Sequence, residues 1–139
     1  MEMRACNALD LQLISGAIHD AWFDTADIRW DRDRQELEIR IKRENPDGCR
    51  TIKRFLFAKK ISTPVVWSTL RIAHASTYEI RDAEGIGSYD IGEIRYHDDS
   101  VVISSNIPLS ITIKVNELEV SLVDSDEVIE EKTEWTIFA

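Results

Sequence analysis

The sequence predicts an α+β domain that is mainly antiparallel β, with an N-terminal helix packed on a curled sheet or a two-layer sandwich. The first observation is that one segment near the N-terminus has apolar residues at helical spacing. The second is that, beyond about residue 25, apolar residues recur at every second position, as in half-buried strands. The third is that neighbouring segments keep the same phase across short connections, as hairpins require. A partly open barrel is the alternative architecture.

Length and composition predict one domain spanning residues 1–139. Of the 139 residues 43% are hydrophobic and 31% are charged, which is the balance of an ordinary globular protein. No run approaches the ~18 apolar residues of a membrane span, and the residues after Met1 lack the pattern of a secretory signal. We therefore expect a cytoplasmic protein that does not bind membranes, in which Cys6 and Cys49 stay as free thiols.

The net charge of −9, from 26 acidic and 17 basic residues, argues against nucleic-acid binding because such a surface repels phosphates. The acidic residues gather near the C-terminus, at Asp124, Asp126 and Glu127, whereas basic residues cluster between Arg50 and Lys60. The acidic end is either a solvated surface or a face that binds a basic partner protein.

The helix is predicted over Asn7–Ile18, with Asn7 as its cap. Leu9, Leu13 and Ala17 share one face of this helix, with Ile14 and Ile18 beside them. We expect that face to pack on the sheet.

Three hairpins are predicted from matched apolar phase. Their expected pairs are Trp30 with Leu37 and Ile28 with Ile39; Ile94 with Ile103 and Tyr96 with Val101; and Leu109, Ile111, Ile113 and Val115 with Leu118, Val120 and Leu122. The second turns at Asp98-Asp99 and the third at Asn116-Glu117.

Further strands are predicted over Ile52–Ala58 and Val65–Ala73, which are rich in aromatic and β-branched residues. The glycine-bearing stretch Asp82–Gly92 is expected to be a loop, or an irregular strand bent by a bulge between Ile91 and Ile94. Glu134–Ala139 is apolar enough to be a last edge strand or a docked segment.

Two histidine–aspartate pairs, His19-Asp20 and His97-Asp98, offer ligands suited to a transition metal. A structural role is the first interpretation of both pairs. The second pair leads into a turn, where Asp is common, and the first pair follows the helix, whose negative end suits a protonated imidazole. A metal site would require the two pairs to converge.

The tryptophans are expected in the core, as Trp30 is by its inward phase. Trp22, with Phe23, is expected to connect the helix to the sheet. If Trp67 or Trp135 is exposed instead, it indicates a binding surface, because Trp is enriched at interface hot spots.

The opening Ile18-His19-Asp20-Ala21-Trp22-Phe23, followed by alternation in Ile28–Asp31 and Leu37–Ile41, resembles a broad group of small bacterial proteins. Members of that group begin with a short helix and a His-Asp pair and continue as successive strands. The resemblance implies the same outline here. Some members are catalogued as immunity proteins of interbacterial toxin systems, and most have no assigned function.

The first functional hypothesis is a non-enzymatic protein-binding module, of which a toxin-neutralising immunity protein is one kind, with no cofactor and no catalytic residue. Its candidate contact residues are Trp67, Trp135, Asp124, Asp126 and Glu127. The second hypothesis is a metal-assisted hydrolase that uses both His-Asp pairs. The third is a structural subunit that forms homo-oligomers through an exposed strand edge.

Overall fold

The computed structural model of the chain describes residues 2–105 and 108–137, which form one α-helix, two short 3₁₀ turns and eleven β-strands. In chain order the helix and strands are β1 (Glu2–Ala5), α1 (Ala8–Ile18), β2 (Trp22–Asp24), β3 (Ile28–Asp31), β4 (Glu36–Glu44), β5 (Arg50–Arg54), β6 (Ala58–Ile72), β7 (Ala75–Asp82), β8 (Ser88–His97), β9 (Ser100–Ser105), β10 (Leu109–Val115) and β11 (Val120–Ile137). All pairings recorded between these strands are antiparallel, which confirms the predicted fold class.

The strands form one curled, open sheet in the order β1-β11-β6-β4-β2-β8-β9-β10-β7, with β3 on β4 and β5 on β6. Strand β7, at the end of this sheet order, curls back towards the β3–β4 hairpin. The Trp30 and Tyr78 ring centroids are 5.2 Å apart, and the Ala75 N–H donates to the Gln35 carbonyl at 2.8 Å. Because β1 and β7 are not paired in the described part of the chain, the sheet is curled rather than closed.

Helix α1 is capped as predicted but presents a different face to the sheet. The Asp10 N–H donates to the Asn7 side chain at 2.8 Å. Leu11 and Ile14 are buried, whereas Leu9 is 73% exposed and Leu13 is 64% exposed. The prediction was therefore wrong for Leu9 and Leu13, whereas Ile14 and Ile18, which were placed beside them, are fully buried. The helix carries apolar residues on two sides, and packing on β8 selects the side of Leu11 and Ile14.

The first two predicted hairpins are confirmed. Trp30 lies opposite Leu37, and Ile94 lies opposite Ile103. In the second turn Asp98 and Asp99 have φ values of 49° and 59°, the left-handed conformation that both central residues of a tight hairpin turn require. Short Asp side chains tolerate this conformation better than most residues.

The third predicted hairpin was wrong, because β10 and β11, as the structure describes them, do not pair with each other, although the face predicted to be buried is buried on both strands. Strand β10 pairs with β9 and β7, whereas β11 pairs with β1 and β6. Ile113 and Leu122 are nevertheless both fully buried. Alternation decides which face of a strand is buried, but it does not decide which strand lies beside it.

The glycine-bearing stretch contains both a loop and the predicted bulge. Between β7 and β8 Gly85 and Gly87 have φ values of +63° and +91°, a region open mainly to glycine. The β8–β9 register shifts between Ile91 and Glu93. No helix among the described residues has the length and apolar character that crossing a bilayer demands.

Candidate functional site

Part of the sheet is bounded by unpaired edges on two sides. We call it the arm: β5, residues 58–66 of β6 and residues 128–137 of β11. Strand β5 pairs with β6 alone, and residues 128–137 of β11 also pair with β6 alone among the described strands. All five residues of β5 are exposed. The predicted last edge strand is thus confirmed as far as Ile137, while Phe138 and Ala139 lie outside the described residues.

The end of the arm is a tight turn made of apolar residues, which we call the tip: Phe55, Leu56 and Phe57. Their exposed fractions are 68%, 79% and 73%. The Phe55 N–H donates to the Ala58 carbonyl at 2.7 Å and closes the turn. The prediction of one continuous strand over 52–58 was therefore wrong. Turns usually hold Gly, Asn, Asp or Pro, because these residues ease the backbone or bond to it. This turn instead places three large apolar side chains in water.

Residues 50–60 contain five basic side chains and no acidic one. Lys53 lies directly opposite Lys60, and Arg54 lies opposite Lys59. Like charges placed directly across two strands repel one another. Arg50, farther from the tip, pairs with Glu131 at 3.3 Å. Basic residues therefore flank the tip on both strands that carry it, in a chain whose net charge is −9.

The neighbouring strand β11 extends the apolar surface beside the tip. Trp135 is 52% exposed and lies opposite Lys60, while Ile137 is 87% exposed and lies opposite Ala58. An exposed Trp67 or Trp135 was expected to indicate a binding surface, and Trp135 is exposed. The tip together with Trp135 and Ile137 is called the apolar end of the arm.

Trp67, the other tryptophan considered as a partner contact, is half-buried on the central strand β6. The Arg40 guanidinium carbon lies 4.4 Å from its ring centroid and the Lys42 Nζ lies 5.0 Å away. Both distances are typical of cation–π contacts. The ring is thus already occupied by cations of its own sheet, and Trp67 is a weaker candidate than Trp135.

Asp124 was predicted to face a partner and instead lies inside the protein. The Arg43 and Asp124 side chains are each only 5% exposed. They form a bidentate ion pair, in which the Nε–Oδ1 distance is 2.9 Å and the Nη2–Oδ2 distance is 2.7 Å. The Ser68 hydroxyl donates to the same carboxylate. Burial alone would raise the pKa of Asp124, but the hydrogen bonds from Arg43 and Ser68 outweigh it and hold the pKa below its ordinary value. Asp126 and Glu127 are exposed, where the register of β11 shifts.

His19 and Asp20 line one wall of a cleft of about 690 Å³ between the end of α1 and the arm. The His19 Nδ1 lies 3.2 Å from the Asp20 carboxylate, and both side chains are more than half exposed. Asp20 has a φ of 66°, which ends the helix in a left-handed turn. On the arm side of the cleft Lys132 pairs with Glu44 at 2.9 Å, which raises the pKa of the amine. A protonated lysine is not a nucleophile.

His97 and Asp98 lie on the β8–β9 turn, away from that cleft wall. The His97 Nε2 lies 3.0 Å from the Asp98 carboxylate, and both side chains are about three-quarters exposed or more. Within residues 2–105 and 108–137 neither His-Asp pair gains a third potential metal ligand. The convergence that the hydrolase hypothesis requires is therefore not found in these residues.

A different histidine does meet two carboxylates, and sequence reasoning missed it. His74, Glu117 and Glu119 offer three ligand atoms that all lie within 4.8 Å of one another. His74 follows β6 and the two glutamates precede β11, so no local spacing in the sequence joins them.

Comparison of the chain with protein-family models, with curated proteins and with solved structures gives no significant match.

Proposed function

We propose that this chain is a non-enzymatic protein-binding module that inserts the apolar end of its arm into an apolar pocket of a partner protein. The observation that carries the proposal is the composition of the tip. Phe55, Leu56 and Phe57 occupy a turn, where apolar residues bring no local benefit, and each is more than two-thirds exposed. A binding role supplies the benefit that the isolated fold lacks.

The apolar end of the arm can supply a substantial part of the energy that specific binding needs. Burying one Phe or Leu side chain contributes about 1.5–3 kcal/mol. Because about 70% of each tip side chain is exposed, the three together offer roughly 3–6 kcal/mol. Trp135 adds a further large side chain of the type enriched at hot spots. This energy offsets part of the cost of association, which is about 4–15 kcal/mol, and the polar contacts around the tip must supply the remainder.

The charge around the tip indicates the character of the partner. Lys53, Arg54, Lys59 and Lys60 lie on the two strands that carry the tip. A pocket rimmed by carboxylates would complement the charge of this region and speed encounter. An immunity protein bound to a toxin with such a pocket is one form of this function. The acidic residues Asp126 and Glu127 are at a separate place, the shifted register of β11.

The experiment compares two matched variants of the full chain. The tip variant is Phe55→Ser/Leu56→Ser/Phe57→Ser. The control is Leu9→Ser/Leu13→Ser, which removes two leucines of similar exposure from helix α1. Proteins captured by the wild type and by the control, but not by the tip variant, are identified and purified. Their affinities for all three chains are then measured by calorimetry.

We expect a purified partner to bind the tip variant at least about tenfold more weakly than the wild type, since hot-spot truncations cost 2 kcal/mol or more. The control is expected to bind as the wild type does. Equal affinity of all three chains would overturn the proposal. So would tip-dependent binding to phosphatidylserine vesicles with no protein partner, because the tip would then be a membrane contact.

A further inference from the structure

Two connections that run between the halves of the sheet lie side by side, and together they carry a cluster of potential metal-ligand atoms. Strand β6 belongs to the half with β11 and β4, whereas β7 and β10 belong to the half with β8 and β9. His74 lies in the β6–β7 connection, and Glu117 and Glu119 lie in the β10–β11 connection.

Backbone hydrogen bonds fix the two connections against each other. The Asn116 N–H donates to the His74 carbonyl at 2.9 Å, and the Ala73 N–H donates to the Glu119 carbonyl at 3.0 Å. The side chains of the cluster therefore project from backbone positions that are already set. A ligand bound there would have little chain to order, and pre-organisation of this kind favours binding.

The donor atoms have the spacing of a zinc site. The His74 Nε2 lies 3.0 Å from the Glu117 Oε1 and 3.8 Å from the Glu119 Oε1. Bonds of about 2.0–2.2 Å in a tetrahedral site put ligand atoms roughly 3.3–3.6 Å apart. The two distances from His74 lie within about 0.5 Å of that spacing, and all three ligand atoms lie within 4.8 Å of one another. The imidazole nitrogen distinguishes this cluster from exposed acidic groups, which favour hard cations such as magnesium.

We propose that His74, Glu117 and Glu119 bind one zinc-like divalent transition-metal ion that ties the two connections together. Glu117 is 70% exposed at its side chain, so the fourth position is open to water. The Arg4 Nη2 donates to the Glu119 Oε1 at 2.5 Å, and this is the oxygen that lies 3.8 Å from the His74 Nε2, so a bound ion would share the Glu119 carboxylate with Arg4.

The test uses zinc alone, on protein whose affinity tag has been removed. Cys6 and Cys49 are exposed thiols, which bind zinc themselves, so both are changed to serine in every sample. Calorimetry gives affinity and stoichiometry, and thermal unfolding with and without zinc gives stabilisation. The variants are His74→Ala and Glu117→Gln. The matched control is His97→Ala, since His97 is an exposed histidine beside a carboxylate without a third ligand.

We expect one zinc ion per chain and a higher unfolding temperature in zinc, for both the parent and His97→Ala. Losing a ligand in His74→Ala or Glu117→Gln should weaken zinc binding by more than about tenfold and abolish the thermal shift. Magnesium should have no effect. Absence of zinc binding at micromolar concentrations would overturn the inference, and so would unchanged zinc affinity in His74→Ala. Glu117 is exposed, so Glu117→Gln tests the site even if His74→Ala folds poorly.

Discussion

Replacing Asp124 by asparagine is expected to destabilise the protein severely, although the change keeps the size of the side chain. The Asp124 side chain is 5% exposed and accepts two hydrogen bonds from Arg43 and one from Ser68. The substitution removes the carboxylate charge while the Arg43 guanidinium, equally buried, keeps its own. Breaking a buried ion pair from one side costs about 3–5 kcal/mol. Total stabilities of domains are about 5–15 kcal/mol, so this is a large fraction.

Urea unfolding at pH 7, followed by tryptophan fluorescence, measures this cost. The matched control is Asp126→Asn, two residues along the same strand but exposed, and it should change the free energy of unfolding by less than about 0.5 kcal/mol. A double variant, Arg43→Met/Asp124→Leu, should recover much of the loss, since an apolar pair of similar volume needs no charge compensation. Equal costs for Asp124→Asn and Asp126→Asn would refute the assignment of Asp124 to the interior.

The same pair gives a pH dependence of defined sign. The folded-state pKa of Asp124 lies below its ordinary value of 3.8, so the unfolded chain binds this proton more readily. The contribution of the carboxylate is therefore fully present above about pH 4 and is lost as the pH decreases through the lower, folded-state pKa. The difference in stability between the wild type and Asp124→Asn should narrow in that acidic range. A gap that stays constant with pH would contradict this reasoning.

Two further predictions each compare a position with open space around it and a position that is closely packed. Gly16→Ala should stabilise the protein by about 0.5–1 kcal/mol, because the added methyl meets nothing within 4 Å on helix α1. Gly48→Ala should destabilise it by about 1–3 kcal/mol, because the new Cβ would lie 2.6 Å from the Pro64 ring. Thermal unfolding of both variants checks these signs, and a stabilising Gly48→Ala would contradict the packing of the turn on β6. Leu11→Ala should cost about 2–5 kcal/mol, whereas Leu13→Ala, at an exposed position, should cost less than about 1 kcal/mol. Urea unfolding of this pair tests which face of α1 is buried, and the reverse order of costs would restore the face predicted from the sequence.

The features that sequence predicted correctly are those set by neighbouring residues. Alternation in β3 and β4, with a short connection, fixed the pairing of Trp30 with Leu37. The Asp98-Asp99 turn likewise limited the β8–β9 hairpin to one register. In both cases the partner strand is next in sequence, so matching phase was enough to choose it.

The features that sequence did not predict depend on distant parts of the chain. Asp124 lies in an acidic run typical of a surface, and its burial depends on Arg43, 81 residues away, and on Ser68, 56 residues away. The third predicted hairpin failed because residues 116–119 cross between sheet halves instead of turning back. The strand predicted over residues 52–58 was wrong for another reason. A strand pattern assumes that apolar residues are buried, whereas Leu56 and its neighbours are exposed. His74 meets Glu117 only because two connections come together.

Hydrogen–deuterium exchange of the protein, free and bound to its purified partner, tests most directly whether the apolar end of the arm is the binding surface. Residues 50–60 and 128–137 carry the apolar end of the arm and its flanking charges. We predict that amides in these two segments become protected in the complex, while the His97-Asp98 turn and helix α1 exchange as in the free protein. Protection at α1 or at that turn, with the arm unchanged, would contradict the account.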